Sequence, residues 1–210
     1  MYLGIVKPLF DLVFSFILFI LFLPLFLAVS IILAASLKGN PLFFQKRNGK
    51  DGRAFWVIKF RTMTNERDAK ENLLPNAERI TPVGRVIRRL SVDEFPQLLN
   101  VLKGEMSFIG PRPLPTRYFP YFDKKERSRF KVLPGISGLA QVSGRNHLMW
   151  DKRLAKDIEY VDKISFIMDM KIIFLTLKKV VSRDDIAVDP TQVMVDFDVY
   201  KKSKCRDETN

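Results

Sequence analysis

Two adjacent carboxylates, Asp93 and Glu94, lie in a part of the sequence that is rich in arginine. Arg88 comes shortly before them, and Arg112 and Arg145 fall in segments rich in glycine and proline, where functional side chains are often placed. A carboxylate near guanidinium groups stays ionised at neutral pH, so it can act as a nucleophile or bind Mg²⁺. Arginine suits phosphate because its planar group binds two oxygens at once. The pattern favours phosphate chemistry, and the alternative is a set of structural ion pairs.

The composition limits the chemistry that this chain can perform. Its 210 residues include one histidine and one cysteine, and the formal net charge is +12. A disulfide framework and a cysteine zinc site within the chain are excluded, and His147 alone cannot form a multi-histidine metal site. The basic balance indicates an anionic partner, either lipid headgroups, a phosphorylated substrate or nucleic acid. Nucleic acid is disfavoured because acidic residues are mixed with the basic ones and no DNA-binding motif is present.

The carboxylates must be positioned by the surrounding elements, which the sequence predicts to be mostly helical. Turn residues Asn48-Gly49 and Asp51-Gly52 lie between two strand-like runs, which predicts a β-hairpin over residues 42–62. Ser91 and Glu94 have the spacing of a capping box, which places both acids at the start of a helix. Further helices are predicted over residues 82–90, 118–132, 150–161 and 166–182, and loops over residues 110–113 and 134–145. The last helix is amphipathic, so it can pack on a core or lie in a membrane interface.

An uncharged apolar segment extends from Leu12 to Leu37. A helix of this length can cross the roughly 30 Å core of a bilayer, but Pro24 removes a backbone hydrogen bond in its middle and kinks it. Each half alone is too short to cross. Lys7 before the segment and Lys38 after it favour a cytoplasmic position for both ends. A re-entrant helix broken at Pro24 and a kinked spanning helix are equal alternatives from the residues alone, and a cleaved signal peptide is disfavoured by the length.

Over about residues 1–182 the chain resembles the monotopic phosphoglycosyl transferases, the bacterial sugar transferase family, and especially its small, single-domain, PglC-like members. Lys7 and Asp11 match family positions, and ordered sequence blocks follow them. These blocks are FQKR at 44–47, KFRTM at 59–63, SVDEFPQLLNVLKGEMS at 91–107, GPRP at 110–113, PGISGLAQV at 134–142 and GR at 144–145. Any one block is weak, but so many in order are specific.

The resemblance implies a two-step transfer of a sugar 1-phosphate. Asp93 attacks the sugar-proximal phosphate of a UDP-sugar and expels UMP, and undecaprenyl phosphate then accepts the phosphosugar from the aspartyl intermediate. Mg²⁺ neutralises the phosphates and is held by Asp93 and Glu94, the second of which is either a metal ligand or a base. The implied phosphate- and sugar-binding residues are Lys59, Arg88, Arg112, Arg145 and Asp157.

The resemblance also implies an architecture and a location. The fold class is α/β, mostly α with a small β-hairpin or sheet. Residues 1–38 form a re-entrant membrane helix broken near Pro24, residues 39–183 a catalytic domain on the cytoplasmic face of the bacterial inner membrane, and residues 184–210 a variable tail. Lys7, Asp11 and Pro24 anchor the segment among membrane phospholipids. The family usually has Ser-Pro at the break, whereas this chain has Leu23-Pro24.

The donor is expected to be a UDP-linked N-acetylated amino sugar, as in most small family members, and a plain hexose is the alternative. A non-catalytic membrane-anchored scaffold, or a protein that binds anionic ligands, is the competing class of function. The intact Asp93-Glu94 pair argues against an inactive scaffold. The glycan pathway and the oligomeric state are open.

Overall fold

A computed structural model describes residues 2–144, 148–182 and 195–207. These residues are mostly helical with small sheets, and an apolar helix stands near the N-terminus, so the predicted fold class is confirmed. The predicted hairpin is present as antiparallel strands β1 (Leu42–Asn48) and β2 (Ala54–Phe60). A second pair, β3 (Ser107–Ile109) and β4 (Gly135–Ser137), is parallel.

The N-terminal apolar segment forms two helices, α1 (Lys7–Leu21) and α2 (Leu23–Leu37). Phe22 between them has φ −96° and ψ 6°, which is outside the helical region. Pro24 therefore lies in the first turn of α2, where its missing N–H leaves no helical hydrogen bond unmade. Together with the preceding turn, α1 is long and apolar enough to cross a membrane, by length and composition. The expectation that each half is too short to cross is therefore wrong for the first half, because the helix begins well before Leu12.

The burial pattern of α1 is the reverse of that of a helix in a water-soluble protein. Its polar residues Lys7, Asp11 and Ser15 recur every four positions and are buried. The Lys7 ammonium donates to the Asp169 carboxylate at 2.6 Å, and the Phe108 N–H donates to the Asp11 carboxylate at 3.3 Å. Lys7 and Asp11, which are predicted to anchor the segment at the headgroup level, are thus held by contacts within the protein. The exposed side chains of α1 are apolar ones: Leu9, Leu12, Val13, Phe14, Phe16, Ile17, Ile20 and Leu21.

The second half of the segment, and the break itself, also contact the rest of the protein. Leu33 of α2 is fully buried in a cluster with Phe60 of β2 and Ile87 of the helix α4 (Pro82–Arg89). At the break, the Phe22 ring lies 5.1 Å from the ring of Phe95, centroid to centroid. The segment is consequently held against the body at its start, its break and its end.

The region predicted as one helix over residues 118–132 is not an α-helix. It contains two short 3₁₀ helices, Thr116–Tyr121 and Glu126–Lys131. Pro120 cannot donate the hydrogen bond that an α-helix needs, and the aromatic side chains of this region turn inward instead of following a helical stripe. The loop predicted over residues 134–145 is also wrong, because it contains β4 and a helix, α6 (Leu139–Gly144).

The later helices agree with the sequence. The structure has α7 (Trp150–Lys163) and α8 (Phe166–Ser182) where periodicity predicts them. One face of α8 is packed, since Ile172 is fully buried. The opposite face leaves Ile167 79% and Phe174 67% exposed, which is unusual for large apolar side chains facing water. Shorter helices α3 (Asn76–Arg79) and α5 (Leu98–Leu102) complete the region before β3.

A helix near the C-terminus, α9 (Phe197–Asp207), closes an aromatic core for which the sequence gives no signal. Phe197 is fully buried, and its ring lies 4.8 Å from that of Phe122 and 5.0 Å from that of Trp150. The Trp150 indole N–H donates to the carbonyl of Val195 at 2.8 Å, just before the helix. The other buried members of this core are Leu114, Tyr118, Phe130 and Leu154.

We expect Phe197→Ala to destabilise the protein strongly, because it removes a buried ring from this core. Phenylalanine truncations in cores cost about 3–5 kcal/mol, which for a chain of this size lowers the melting temperature by about 6–20 °C. Val199→Ala is the matched control, since Val199 lies on the same helix with 52% exposure. Thermal unfolding of the detergent-solubilised protein measures both. Equal shifts for the two variants would show that α9 is not docked.

Candidate active site

Asp93 and Glu94 lie in a 3₁₀ helix, Val92–Gln97, that leads into α5. The predicted capping box is wrong, because Ser91 has φ 55° and its hydroxyl caps no backbone N–H. A capping serine needs an extended backbone, whereas Ser91 is left-handed. Pro96 is accommodated because this stretch is a short 3₁₀ helix and not the interior of an α-helix. The two acids are still placed at the start of a helical stretch.

Glu94 is the centre of the site. Its Oε1 accepts hydrogen bonds from the Lys59 ammonium at 2.6 Å and from Arg112 Nη2 at 2.7 Å. Lys59 comes from β2 and Arg112 from the Gly-Pro-Arg-Pro loop, so three separate parts of the chain meet at one oxygen. Burial raises the pKa of Glu94, but the attraction of Arg112 and Lys59 outweighs it and holds the pKa well below its usual range. Glu94 is therefore ionised throughout the physiological range.

Asp93 stands in a different environment. Burial, assisted by the neighbouring charge of Glu94, raises the pKa of Asp93 to about 6, although Lys59, Arg88 and Arg112 oppose the rise. Among the residues that the structure describes, none donates a hydrogen bond to its carboxylate. Two adjacent acids with pKa values pushed apart are typical of sites where one group reacts and the other stabilises.

Lys59 is positioned by a buried asparagine. The Asn100 side chain accepts from the Ile58 N–H at 3.0 Å and donates to the Trp56 carbonyl at 2.7 Å, so α5 is fixed to β2 on both sides of residue 57. Burial lowers the pKa of Lys59, and the attraction of the nearby Glu94 offsets only part of this decrease. No sequence pattern singles out Asn100, because its role depends on a strand more than forty residues away.

The other predicted site residues, Arg88, Arg145 and Asp157, do not all lie at the site. Arg88 is exposed on α4 with a guanidinium nitrogen 3.4 Å from the Met63 sulfur, and it lies near enough to lower the pKa of Asp93. Arg145 lies outside the described residues. Asp157 does not face the site, because it is 2% exposed and bonded to Arg129. The structure thus brings Asp93, Glu94, Lys59, Arg88 and Arg112 together.

Asp93 and Glu94 are the candidate ligands for a metal ion at this site. In the described part of the chain, no group of three or more His, Cys, Asp or Glu residues could hold one. Mg²⁺ does not require such a group, because it is commonly bound by one or two carboxylates together with substrate phosphates and water. Asp93 and Glu94 supply two oxygen ligands of the hard type that Mg²⁺ prefers, and the Asp93 carboxylate is free of hydrogen bonds from described residues. The residues therefore fit Mg²⁺ in the presence of a phosphorylated ligand.

Comparison with known proteins gives a family that agrees with this geometry. The model of the bacterial sugar transferase family matches residues 2–183, nearly the whole chain. The chain belongs to the bacterial sugar transferase family. This sugar transferase is 52% identical over 149 residues to the uncharacterized sugar transferase EpsL of Bacillus subtilis, covering 70% of this chain and 74% of EpsL.

Two further relatives of this sugar transferase cover more of its length. The exopolysaccharide production protein ExoY of Rhizobium meliloti is 35% identical over 194 residues, which cover 84% of this chain and 86% of ExoY. A UDP-glucose:undecaprenyl-phosphate glucose-1-phosphate transferase of Caulobacter vibrioides is 35% identical over 189 residues, which cover 85% of this chain and 71% of that protein. The resemblance drawn from the sequence blocks is confirmed.

The raised pKa of Asp93 predicts that Asp93→Asn stabilises the sugar transferase at neutral pH. An acid whose pKa is higher in the folded state favours the fold when protonated, and that contribution is lost as the pH rises through about 6. The asparagine variant avoids this loss, so we expect it to be more stable by about 1–2 kcal/mol above pH 7, with the advantage vanishing toward pH 4. Melting temperatures of both proteins across this range test the sign, and a constant difference would contradict it.

Proposed function

We propose that this sugar transferase moves a sugar 1-phosphate from a UDP-sugar to undecaprenyl phosphate at a membrane surface. The observation that carries the proposal is the Asp93 carboxylate, which no described residue engages by a hydrogen bond and which lies beside the cations of Lys59, Arg88 and Arg112. A reactive carboxylate among phosphate-binding cations suits attack on a diphosphate. The Caulobacter relative is named for this kind of transfer, and so is an undecaprenyl-phosphate glucose phosphotransferase of Komagataeibacter xylinus.

In the first step, an Asp93 oxygen attacks the sugar-proximal phosphorus of the donor. The new Asp93 O–P bond replaces the bond from that phosphorus to the bridging oxygen, which leaves with UMP. In the second step, a phosphate oxygen of undecaprenyl phosphate attacks the same phosphorus and releases the Asp93 carboxylate. The product is a polyprenyl diphosphosugar. The pKa of about 6 keeps Asp93 mostly ionised at neutral pH while leaving its charge weakly stabilised, which suits a nucleophile.

Glu94 and its partners act on the phosphates. Because its pKa is held low, Glu94 is a weak base, and this supports a role in holding Lys59 and Arg112 or a metal ion rather than in removing protons. Arg112 offers its planar group to donor phosphate oxygens, and Arg88 is exposed for the same purpose. When bound by Asp93 and Glu94, Mg²⁺ would supply further neutralisation of the diphosphate charge.

The N-terminal segment suits a re-entrant anchor on the cytoplasmic face of the inner membrane. Both halves and the break pack against the catalytic body, and a helix leaving the body to cross a bilayer would carry one end away from it. The exposed apolar face of α8 would then lie at the same interface. With the break beside Phe95, the lipid phosphate meets Asp93 without leaving the membrane surface.

The donor sugar has two candidates. The sequence favours an N-acetylated amino sugar through the small members that the chain resembles. Relatives from Caulobacter vibrioides and Erwinia amylovora carry the names of glucose and galactose transferases, which favours a hexose. A non-catalytic scaffold is disfavoured, because a half-buried acid with a raised pKa costs stability without serving a structural contact.

The reaction is tested by UMP release from UDP-glucose, UDP-galactose and their N-acetylated amino counterparts, with Mg²⁺ and undecaprenyl phosphate. We expect one donor to yield UMP, and Asp93→Asn to lower the rate at least a thousandfold because the nucleophile is gone. Without the lipid acceptor, intact-mass spectrometry should detect a phosphosugar adduct on the wild type alone. The matched control is Asp151→Asn, an exposed acid on α7. Release that persists in Asp93→Asn would overturn the covalent mechanism.

The topology is tested by cysteine labelling, for which the single cysteine of the chain is convenient. In a Cys205→Ser background, Leu3→Cys places a thiol before α1. We expect a membrane-impermeant maleimide to leave it unlabelled in intact spheroplasts and to label it after lysis, since a re-entrant segment keeps both ends inside. Lys202→Cys, in the exposed part of α9, is the control for membrane integrity, because its thiol should stay unlabelled until lysis. Labelling of residue 3 from outside, with residue 202 protected, would show a spanning helix.

A further inference from the structure

A buried ion pair lies behind the site. Arg129 donates to Asp157 Oδ2 from Nε at 3.1 Å and from Nη2 at 2.8 Å, and both side chains are almost completely shielded from solvent. Burial raises the pKa of Asp157, and the adjacent Arg129 opposes the rise. A buried pair of this kind contributes little net stability relative to apolar side chains of similar size. Its presence therefore calls for a role beyond holding the fold together.

The same arginine reaches the main chain of the active site. Arg129 Nη2 donates to the carbonyl oxygen of Arg112 at 2.7 Å. The side chain of Arg112 binds Glu94. The hydrogen bond from Arg129 to the Arg112 carbonyl therefore links the buried pair directly to a residue of the site. Asp157 and Glu94 are thereby connected through two arginines.

The loop that carries Arg112 needs this support because it belongs to no helix or strand. Residues before Arg112 are fixed by main-chain bonds, in which the Gly110 N–H donates to the Ser137 carbonyl at 2.9 Å and the Gly135 N–H to the Pro111 carbonyl at 3.1 Å. A side chain at Gly110 or Gly135 would collide with the facing backbone, which keeps the two segments in close contact. At Arg112 itself, the orientation of the peptide depends on Arg129.

Arginine is required at position 129 because one group must bind in two directions. Its planar fork satisfies the Asp157 carboxylate and the Arg112 carbonyl together, which a single ammonium cannot do with the same geometry. The guanidinium also lies over the rings of Phe122 and Phe130, with its central carbon 5.5 and 5.2 Å from their centroids. These contacts hold the fork in one plane.

We propose that Arg129, oriented by Asp157, is a positioning residue that sets the main chain of Arg112 and so aims its guanidinium at Glu94 and the substrate phosphate. The proposal rests on the proposed function for its effect on the rate. It assigns Asp157 a place behind the site in place of the direct substrate contact predicted from the sequence. Arg129 and Asp157 transfer no proton and form no bond to the substrate.

The first test measures Arg112 directly and requires no turnover. Phenylglyoxal modifies accessible arginines, and peptide mass spectrometry reports the rate at each position. We expect Arg129→Lys and Asp157→Asn to raise the modification rate of Arg112 about three- to tenfold, because Arg112 is released from Glu94. Modification of Arg53, on the hairpin turn, should be unchanged. Glu159→Gln, an acid on the same helix as Asp157, should leave both rates as in the wild type. Unchanged Arg112 reactivity in variants that remain folded would overturn the proposal.

The second test is a double-mutant cycle on UMP release, with melting temperatures as the check on folding. We expect Arg129→Lys to lower kcat/KM about ten- to a hundredfold, and Arg112→Lys to lower it at least as much. Because Arg129 acts through Arg112, the double variant should be no slower than Arg112→Lys alone. A double variant whose loss is the product of the two single losses would also overturn the proposal.

The two tests separate the inference from the proposed function. If wild type releases UMP from no donor but Arg112 reactivity responds as expected, the positioning role stands and the function fails. If wild type is active and Arg112 reactivity does not respond, the function stands and the positioning role fails. Asp157→Asn serves as the second variant where Arg129→Lys does not fold.

Discussion

The site depends on the way in which a single carboxylate oxygen of Glu94 is shared between Lys59 and Arg112. Two cations cannot be held so close together in a half-buried place without an anion between them. Glu94 supplies that anion through its Oε1 atom. The adjacent Asp93 is then left beside a neighbouring negative charge, in a desolvated position, with cations that only partly compensate it. The chemical difference between the two neighbouring acids thus follows from the fact that one of them organises the cations.

A second constraint comes from the helix α1, whose polar face is turned inward. A buried ammonium needs an anionic partner, and Lys7 finds Asp169 on α8, more than 160 residues away in the sequence. This pair joins the N-terminal segment to a helix that itself exposes large apolar side chains. The contact of Phe22 with Phe95 then fixes the break of the segment next to the stretch that carries Asp93 and Glu94. Anchor and site are therefore parts of one packed unit.

Local sequence signals predicted much of this arrangement, and they failed where partners are distant. The hairpin, α7 and α8 follow from turn residues and helical periodicity, and the block containing Asp93 and Glu94 pointed to the two acids that the structure places beside Lys59 and Arg112. Pro120 and the inward-facing aromatic side chains explain why the helix predicted over residues 118–132 does not form. Nothing in the local sequence singles out Arg129 in this region. Its importance appears only when α7 brings Asp157 beside it. Phe197 was missed for the same reason, because its helix has little periodicity and its partners lie far upstream.

The position of Phe197 has a consequence for the order in which the protein is made. During translation the apolar segment is synthesised well before the helix α9. The aromatic core beneath the Arg112 loop lacks its central ring until residue 197 has been synthesised, roughly ten to thirty seconds later at about 5–20 residues per second. Over that interval the nascent domain has an open aromatic cleft. An interrupted polypeptide would therefore carry the Asp93-Glu94 stretch with Arg112 poorly supported.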